Sequence, residues 1–312
     1  MKLNDVEIED TYAEAFTMWC SRVLITALNE EWALTCARIF TGFAVSTIAC
    51  DCEAAIDKII PADQTPDRRS GVACMLFAKR KQLGGALMNR VSQCVLTCPT
   101  TALFDWLNEE PSTYIDKKTG EKKTAIFPTG KNMRFFGDGW EESGTVEDRK
   151  VWHIPVMEGL FTIEERIGAK KSVAGGNFFI LGDTLNNTLK AAIDAVKTIN
   201  AIEGVITSFP GGICRSGSKT GSLKYAKFMH ASTNHKYCPT LKDEISDSEI
   251  PDGVNSVLEI VLNGISLEKV KEATASGIQA AVKVPGIKKI TAGNYGGTLG
   301  KHQIVLKEVL GL

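Results

Sequence analysis

The tightest constraint on this chain is one pattern written twice in its C-terminal half. AAIDAVKTINAIEGVITSFPGG (191–212) and SGIQAAVKVPGIKKITAGNYGG (276–297) each run from an amphipathic helical stretch through Gly into a short strand and a Gly-Gly loop. Short apolar runs precede them, NFFIL (177–181) and VLEIVLNG (257–264). A helix apolar on one face must bury that face, and the neighbouring strands supply the sheet to bury it on. Looser copies occupy the first half: a strand at 22–27, a helix at 30–40 and, after Gly42, a strand at 43–50; then a strand at 72–78 and a helix at 81–96, in spite of Gly84 and Gly85. Four strand–helix–strand units predict an α+β fold of two related lobes, each a split-βαβ (ferredoxin-like) sandwich. HQIVLKEVL (302–310) predicts a closing strand. The lobes are predicted at 1–150 and 151–312, divided within the charged stretch EESGTVEDRK (141–150). Residues 109–132 are polar and aperiodic with Pro and Gly, which predicts a long exposed loop or insertion in the first lobe.

Within the second lobe, Ser256–Ile265 (SVLEIVLNGI) carries one residue that does not belong in a buried strand, Glu259. Strand alternation puts Glu259 on a face with Val257 and Val261, and Leu258, Ile260 and Leu262 on the other. In an interior strand the carboxyl is buried, and an unpaired buried carboxylate costs several kcal/mol unless it finds donors or keeps a proton. A carboxyl tuned that way suits proton transfer near neutral pH. In an edge strand Glu259 would simply face water.

Composition removes several function classes. Thirty-six Lys and Arg against 37 Asp and Glu leave a net charge of −1, which argues against a nucleic-acid partner. No apolar run reaches the roughly 18 residues of a membrane span. The first residues, MKLNDVEIEDTYAEAF, carry acids where a signal peptide carries bases, so the expectation is a cytoplasmic protein. Nine scattered cysteines without a C-x-x-C, and four histidines without H-x-x-x-H, predict free thiols and no metal site.

Loop chemistry is concentrated in a few places. SFPGGICRSGSKT (208–220) approaches a phosphate-binding loop, but its Lys219 stands one place late and no clear helix follows. Its Gly and Ser backbone donors and Lys219 can still hold an anionic or polar substrate. AGGNF (174–178), ASTN (231–234) and AGNYGG (292–297) combine Gly, which admits close backbone approach, with Asn, which donates and accepts. Each of these can equally be an ordinary turn. Cys98-Pro99-Thr100 has no base beside it in the sequence, and FFGDGW (135–140) reads as a turn with aromatic packing.

Taken in order, EIEDTYAEAF, TGF, CDCEAAID, FFGDGW, VAGGNFFI, SFPGG, SGSKTGS, ASTNHKYCPT, LEIVLNG and TAGNYGGTLG form a specific string that spans nearly the whole chain. On these motifs the chain resembles the formylmethanofuran:tetrahydromethanopterin formyltransferase family of methanogenic and sulfate-reducing archaea and methylotrophic bacteria. The resemblance implies two related α+β lobes, a homotetramer with substrate clefts between subunits, and no prosthetic group, methanofuran and tetrahydromethanopterin being substrates. It also implies that the active-site glutamate of the LEIVLNG strand is Glu259. The candidate substrate-binding residues lie in the loop motifs: Ser208, Phe209, Pro210, Gly211 and Gly212; Ser218 and Lys219; Ser232, Thr233 and Asn234; and Asn294. Formyl transfer between two nitrogens passes through a tetrahedral oxyanion and needs a base, an acid and donors to that oxygen. Glu259 would move the proton, with loop amides, Asn294 or Ser232 steadying the oxygen. The competing expectations are a non-catalytic scaffold subunit of a formylmethanofuran-processing complex, and a ligand-sensing module without chemistry.

Overall fold

The computed structural model describes all 312 residues and divides them into two compact units. One comprises Met18–Ala44 and Asp51–Ser172, the other Met1–Thr17, Val45–Cys50 and Val173–Leu312. The division differs from a single cut near residue 150: the first 17 residues go with the C-terminal part, and 151–172 go with the N-terminal part.

In the first unit, strand β1 (Tyr12–Ala27, from Met18 onward) is followed by helix α1 (Glu30–Thr41) and strand β2 (Glu53–Ile60). Strand β3 (Ser70–Ala78), helix α2 (Arg80–Arg90, continued by a π-helical turn at Val91–Val95) and strand β4 (Ala102–Asp105) repeat the pattern. All pairings are antiparallel and give the order β4–β1–β3–β2. That is the split-βαβ order, with each helix crossing over a strand inserted from the other half. Phe40, Leu83 and Leu87 of the helices meet Val23, Ile25 and Leu76 of the strands in one buried cluster. Asn29 caps α1 by accepting from the Trp32 N–H at 3.0 Å.

Two local expectations fail in the N-terminal half of the chain. Residues 43–50 are not a strand; Phe43 and Ala49 stand at φ of 57° and 67°, left-handed backbone that no strand contains, and the strand forms at 53–60 instead. Residues 109–132 are not one open loop. Thr113–Ile115 pairs with Lys122–Thr124, Ile126–Phe127 pairs with Ile167–Gly168, and a short helix covers Thr129–Met133. Gly130 is pressed so closely on the Glu164 carbonyl that a Cβ there would lie 2.1 Å from it. Arg149–Val156 and Gly159–Glu164 form a hairpin whose second strand runs parallel to β4. This pairing is why residues 151–172 fall in the first compact unit.

The second unit repeats the order with strand β5 (Lys170–Gly182, from Val173 onward), helix α3 (Leu185–Ile199), strand β6 (Val205–Ile206), strand β7 (Ser256–Gly264), helix α4 (Leu267–Ala281) and strand β8 (Ile287–Thr291). The antiparallel pairings give β8–β5–β7–β6. Thr184 and Ser266 cap the two helices through their hydroxyls. The helices pack closely at Gly277, where a Cβ would meet Ile199 at 2.8 Å and Phe178 at 3.0 Å. Alanines on both helices, with Ile199 and Ile278, bury against Phe178, Ile180, Leu258, Ile260 and Leu262 of the sheet. The expected closing strand is short, His302–Val305 beside Tyr12–Ala15, and residues 306–310 are helical. No helix in the chain is long and apolar enough to cross a membrane.

Candidate active site

Glu259 sits in an interior strand, which removes the edge-strand alternative. On one side β7 pairs with β5, where Phe179 is the residue opposite Glu259. On the other, beyond β6, Cys214 forms a bridge with Glu259 itself: the Cys214 N–H donates to the Glu259 carbonyl at 2.8 Å, and the Glu259 N–H returns to the Cys214 carbonyl at 2.9 Å. The alternation of the strand holds. Leu258, Ile260 and Leu262 enter the helix-covered core, while Val257 joins Phe179, Leu181, Ile250, Val254 and Tyr237 in a separate cluster on the opposite face.

That opposite face holds a small cavity of about 40 Å³ whose walls include Glu259, Phe179, Cys214, Arg215, Asn234 and Tyr237. The Phe179 and Tyr237 rings meet edge-on with centroids 4.8 Å apart. Burial pushes the Glu259 carboxyl up to about 7, and the neighbouring Cys214 side chain pulls the other way. The group is therefore poised to exchange a proton near neutral pH.

A second carboxylate organises the neighbouring Gly-rich loop. Glu14 is almost fully buried and accepts four backbone N–H groups: Tyr295 and Gly297 on Oε2, each at 2.8 Å, Leu299 on Oε1 at 2.6 Å, and Gly300 on Oε1. Burial alone would raise its pKa, but these donors outweigh burial and hold it below the usual range. Asn177 clips the same loop with a donor and an acceptor to Gly293 at 3.1 and 2.6 Å. The loop thus carries Tyr295, whose phenol is raised first by burial and then by the negative charges of Glu259 and Glu14.

The candidate substrate residues separate into groups. Asn234 reaches the Glu259 cavity, and Gly217, beside Ser218, also lines it. Ser218 and Lys219 pair with Thr233 and Ser232 in a two-stranded hairpin, and the Ser232 hydroxyl is spent on the Gly221 carbonyl at 2.8 Å. Ser208 is buried, its hydroxyl without a partner, at the head of the loop Phe209, Pro210, Gly211 and Gly212 that delivers Cys214 to the sheet. Gly212 is required there: at φ 77° a Cβ would strike Thr207 Oγ1 at 2.6 Å and Val196 Cγ1 at 2.7 Å. Asn294 lies outside the cavity lining; its amide donates to the Tyr12 carbonyl at 3.2 Å and to Thr11. The Ser232 hydroxyl and the Asn294 amide are thus both hydrogen-bonded within the chain. The sequence reading missed Cys214, Arg215 and Tyr237 at the cavity and Glu14 behind the loop. Of these only Glu14 left a local signal, an acid alternating with alanines in a strand-like run.

Charge is distributed unevenly around this site. Residues 213–242 contain six Lys and Arg, two His and no Asp or Glu, in a chain whose charges otherwise nearly cancel. Lys236 pairs with Asp247 at 3.4 Å and Lys242 with Asp252 at 2.5 Å, whereas Arg215, Lys219 and Lys227 have no carboxylate partner. The hairpin is a cationic wall that starts at the cavity. No group of His, Cys, Asp and Glu anywhere in the chain is arranged to hold a metal ion.

Known proteins match this chain over its full length. The family model described as formylmethanofuran-tetrahydromethanopterin formyltransferase matches residues 1–156, and the model of its proximal lobe matches 159–309. The formylmethanofuran–tetrahydromethanopterin formyltransferase of Methanocaldococcus jannaschii is 50% identical over 312 residues, covering 99% of both chains. The solved formyltransferase of Methanosarcina barkeri superposes with a TM-score of 0.90 at 49% identity, covering 99% of this chain and 100% of that one. A chain of the formyltransferase/hydrolase complex of Methylorubrum extorquens, solved with methylofuran, superposes at 0.91 with 39% identity over 99% of this chain and 98% of that one. With both halves matched by the family's models and its relatives half identical end to end, the chain belongs to the formylmethanofuran–tetrahydromethanopterin formyltransferase family.

Proposed function

We propose that this chain transfers a formyl group reversibly between formylmethanofuran and tetrahydromethanopterin, with Glu259 as the group that moves the proton. The observation that carries the reading is the placement of Glu259: an interior strand, a cavity wall, and a carboxyl raised by burial to about 7. The acceptor nitrogen attacks the formyl carbon and forms the new C–N bond. The carbonyl electrons move to oxygen, and Glu259 accepts the proton that the attacking nitrogen sheds. Collapse re-forms the carbonyl, breaks the C–N bond to the donor, and returns that proton to the leaving amine. Donors for the oxyanion come from the cavity wall, the Arg215 guanidinium and the Asn234 amide. The cationic hairpin with Ser218 and Lys219 holds the polar parts of the substrates, and Ser208 to Gly212 shape the wall behind Cys214.

The transfer consumes no redox equivalent, so the proposed enzyme works without an added cofactor. Its proposed setting is cytoplasmic and homotetrameric. The likeness to a chain of the Methylorubrum extorquens complex favours a second arrangement, an active transferase subunit held beside a hydrolase. Purified protein mixed with formylmethanofuran and tetrahydromethanopterin, followed by the absorbance of the formylated pterin, tests the reading. Turnover without added metal or nucleotide is expected. Binding of both substrates without turnover would point to the scaffold role instead.

A further inference from the structure

We propose that Cys214 is the positioning residue of this site: its thiol orients the Glu259 carboxyl and steadies its anion. The inference rests on the reading of Glu259 as the proton-transfer group and concerns what allows it to work. Directly opposed residues in an antiparallel pair stand side by side on the same face of the sheet, their Cβ atoms about 4.5–5.5 Å apart. Glu259 has two such neighbours, Phe179 on β5 and Cys214 across the bridge. Phe179 has no donor. Cys214 therefore supplies the only cross-strand hydrogen that can meet the carboxylate, and the reciprocal 2.8 and 2.9 Å backbone bonds fix it at that position.

The thiol is itself oriented. Ser216 Oγ lies 3.3 Å from Cys214 Sγ, so a hydroxyl that donates to sulfur leaves the S–H free to point at Glu259. The other thiol of the cavity, Cys238, is held elsewhere, 3.4 Å from Thr233 Oγ1 and 3.5 Å from the Asn234 carbonyl. The remaining titratable groups facing the carboxyl are Arg215 and Tyr237 on the cavity wall, with Tyr295 on the Glu14-bound loop. A donor to the charged form favours ionisation, in agreement with the direction in which Cys214 pulls the half-buried carboxyl. A hydrophobic filler of the same size would leave Glu259 with burial alone and keep it protonated to higher pH.

The test compares the pH dependence of kcat in the full-length enzyme and in the variants Cys214→Val and Cys214→Ser, with Glu259→Gln alongside. Removing the donor in Cys214→Val is expected to move the acid limb to higher pH by about one unit, so that kcat falls roughly tenfold on that limb and recovers in alkali. Cys214→Ser, which keeps a donor, returns the limb toward its original place. An acid limb unmoved in Cys214→Val would show that the cysteine is a small buried filler and overturn the proposal. Full activity in Glu259→Gln would instead remove the reading on which it rests. Should Cys214→Val not fold, the S–H stretching band of the intact protein, assigned by its loss in Cys214→Ser, serves the same purpose. It shifts across the acid limb when the thiol is bonded to Glu259, and a fixed band would contradict the proposal.

Discussion

Between about pH 4.5 and 7, Glu259 in the folded chain keeps a proton that the same residue loses in the unfolded chain. An acid whose pKa is raised by folding makes the native state less stable as pH climbs through that window. Glu14 acts with the opposite sign: its lowered pKa contributes stability above the unfolded value, lost as pH falls through the folded one. Subtracting a Glu259→Gln variant from the wild type isolates the first effect. The difference in unfolding free energy, from urea titrations at pH 4.5 and 7.5, is expected to fall by up to about 3 kcal/mol, at 1.36 kcal/mol per unit. A flat difference would mean that the carboxyl ionises freely in the folded protein. Glu259 was legible in the sequence because a charge in a two-faced apolar run is conspicuous locally. Cys214 was not, because its place depends on a bridge between residues 45 positions apart, and the bond from the Asn294 amide to the Tyr12 carbonyl is equally long-range.

At the scale of elements, helix period and Gly-bounded strands gave the helix at 30–41 to within a residue and the amphipathic stretches that form the helices at 185–199 and 267–281. The misplaced strand at 43–50 has the same apolar composition as a real one, and only its left-handed residues exclude it. The hairpin between Ser218 and Thr233 presented itself in the sequence as a Gly/Ser loop. Its distinguishing feature is a property of the whole segment, a run of cations without a single acid. Opposite charges attract over roughly 10 Å at 0.1 M salt, so the wall should matter most at low ionic strength. Lys219→Glu with Lys227→Glu is expected to raise KM roughly fivefold in dilute buffer, about 1 kcal/mol, and much less in 1 M salt, with kcat nearly kept. Initial-rate kinetics at both salt concentrations would check this. A loss confined to kcat and indifferent to salt would place the lysines in the chemistry instead.

The whole molecule repeats one strand order, outer–inner–inner–outer with crossed helices, in both compact units. The repeated strand–helix–strand pattern implied that order, and the later copy was the clearer because its helices are longer and better patterned. The division of the chain was less legible. Sequence composition changes near residue 150, but strand pairing carries 151–172 with the first unit and the first 17 residues with the second. A boundary set by long-range pairing leaves no mark in local composition. The proposed mechanism rests on the second unit, which holds the Glu259 carboxyl on an interior strand. The most direct measurement is formyl transfer by Glu259→Gln beside the wild type, with near-UV circular dichroism showing the variant folded. The account predicts a kcat lower by about 10²- to 10⁴-fold, the range typical of a general acid–base group. Turnover within a factor of a few of wild type would contradict it, and would remove Glu259 from the mechanism.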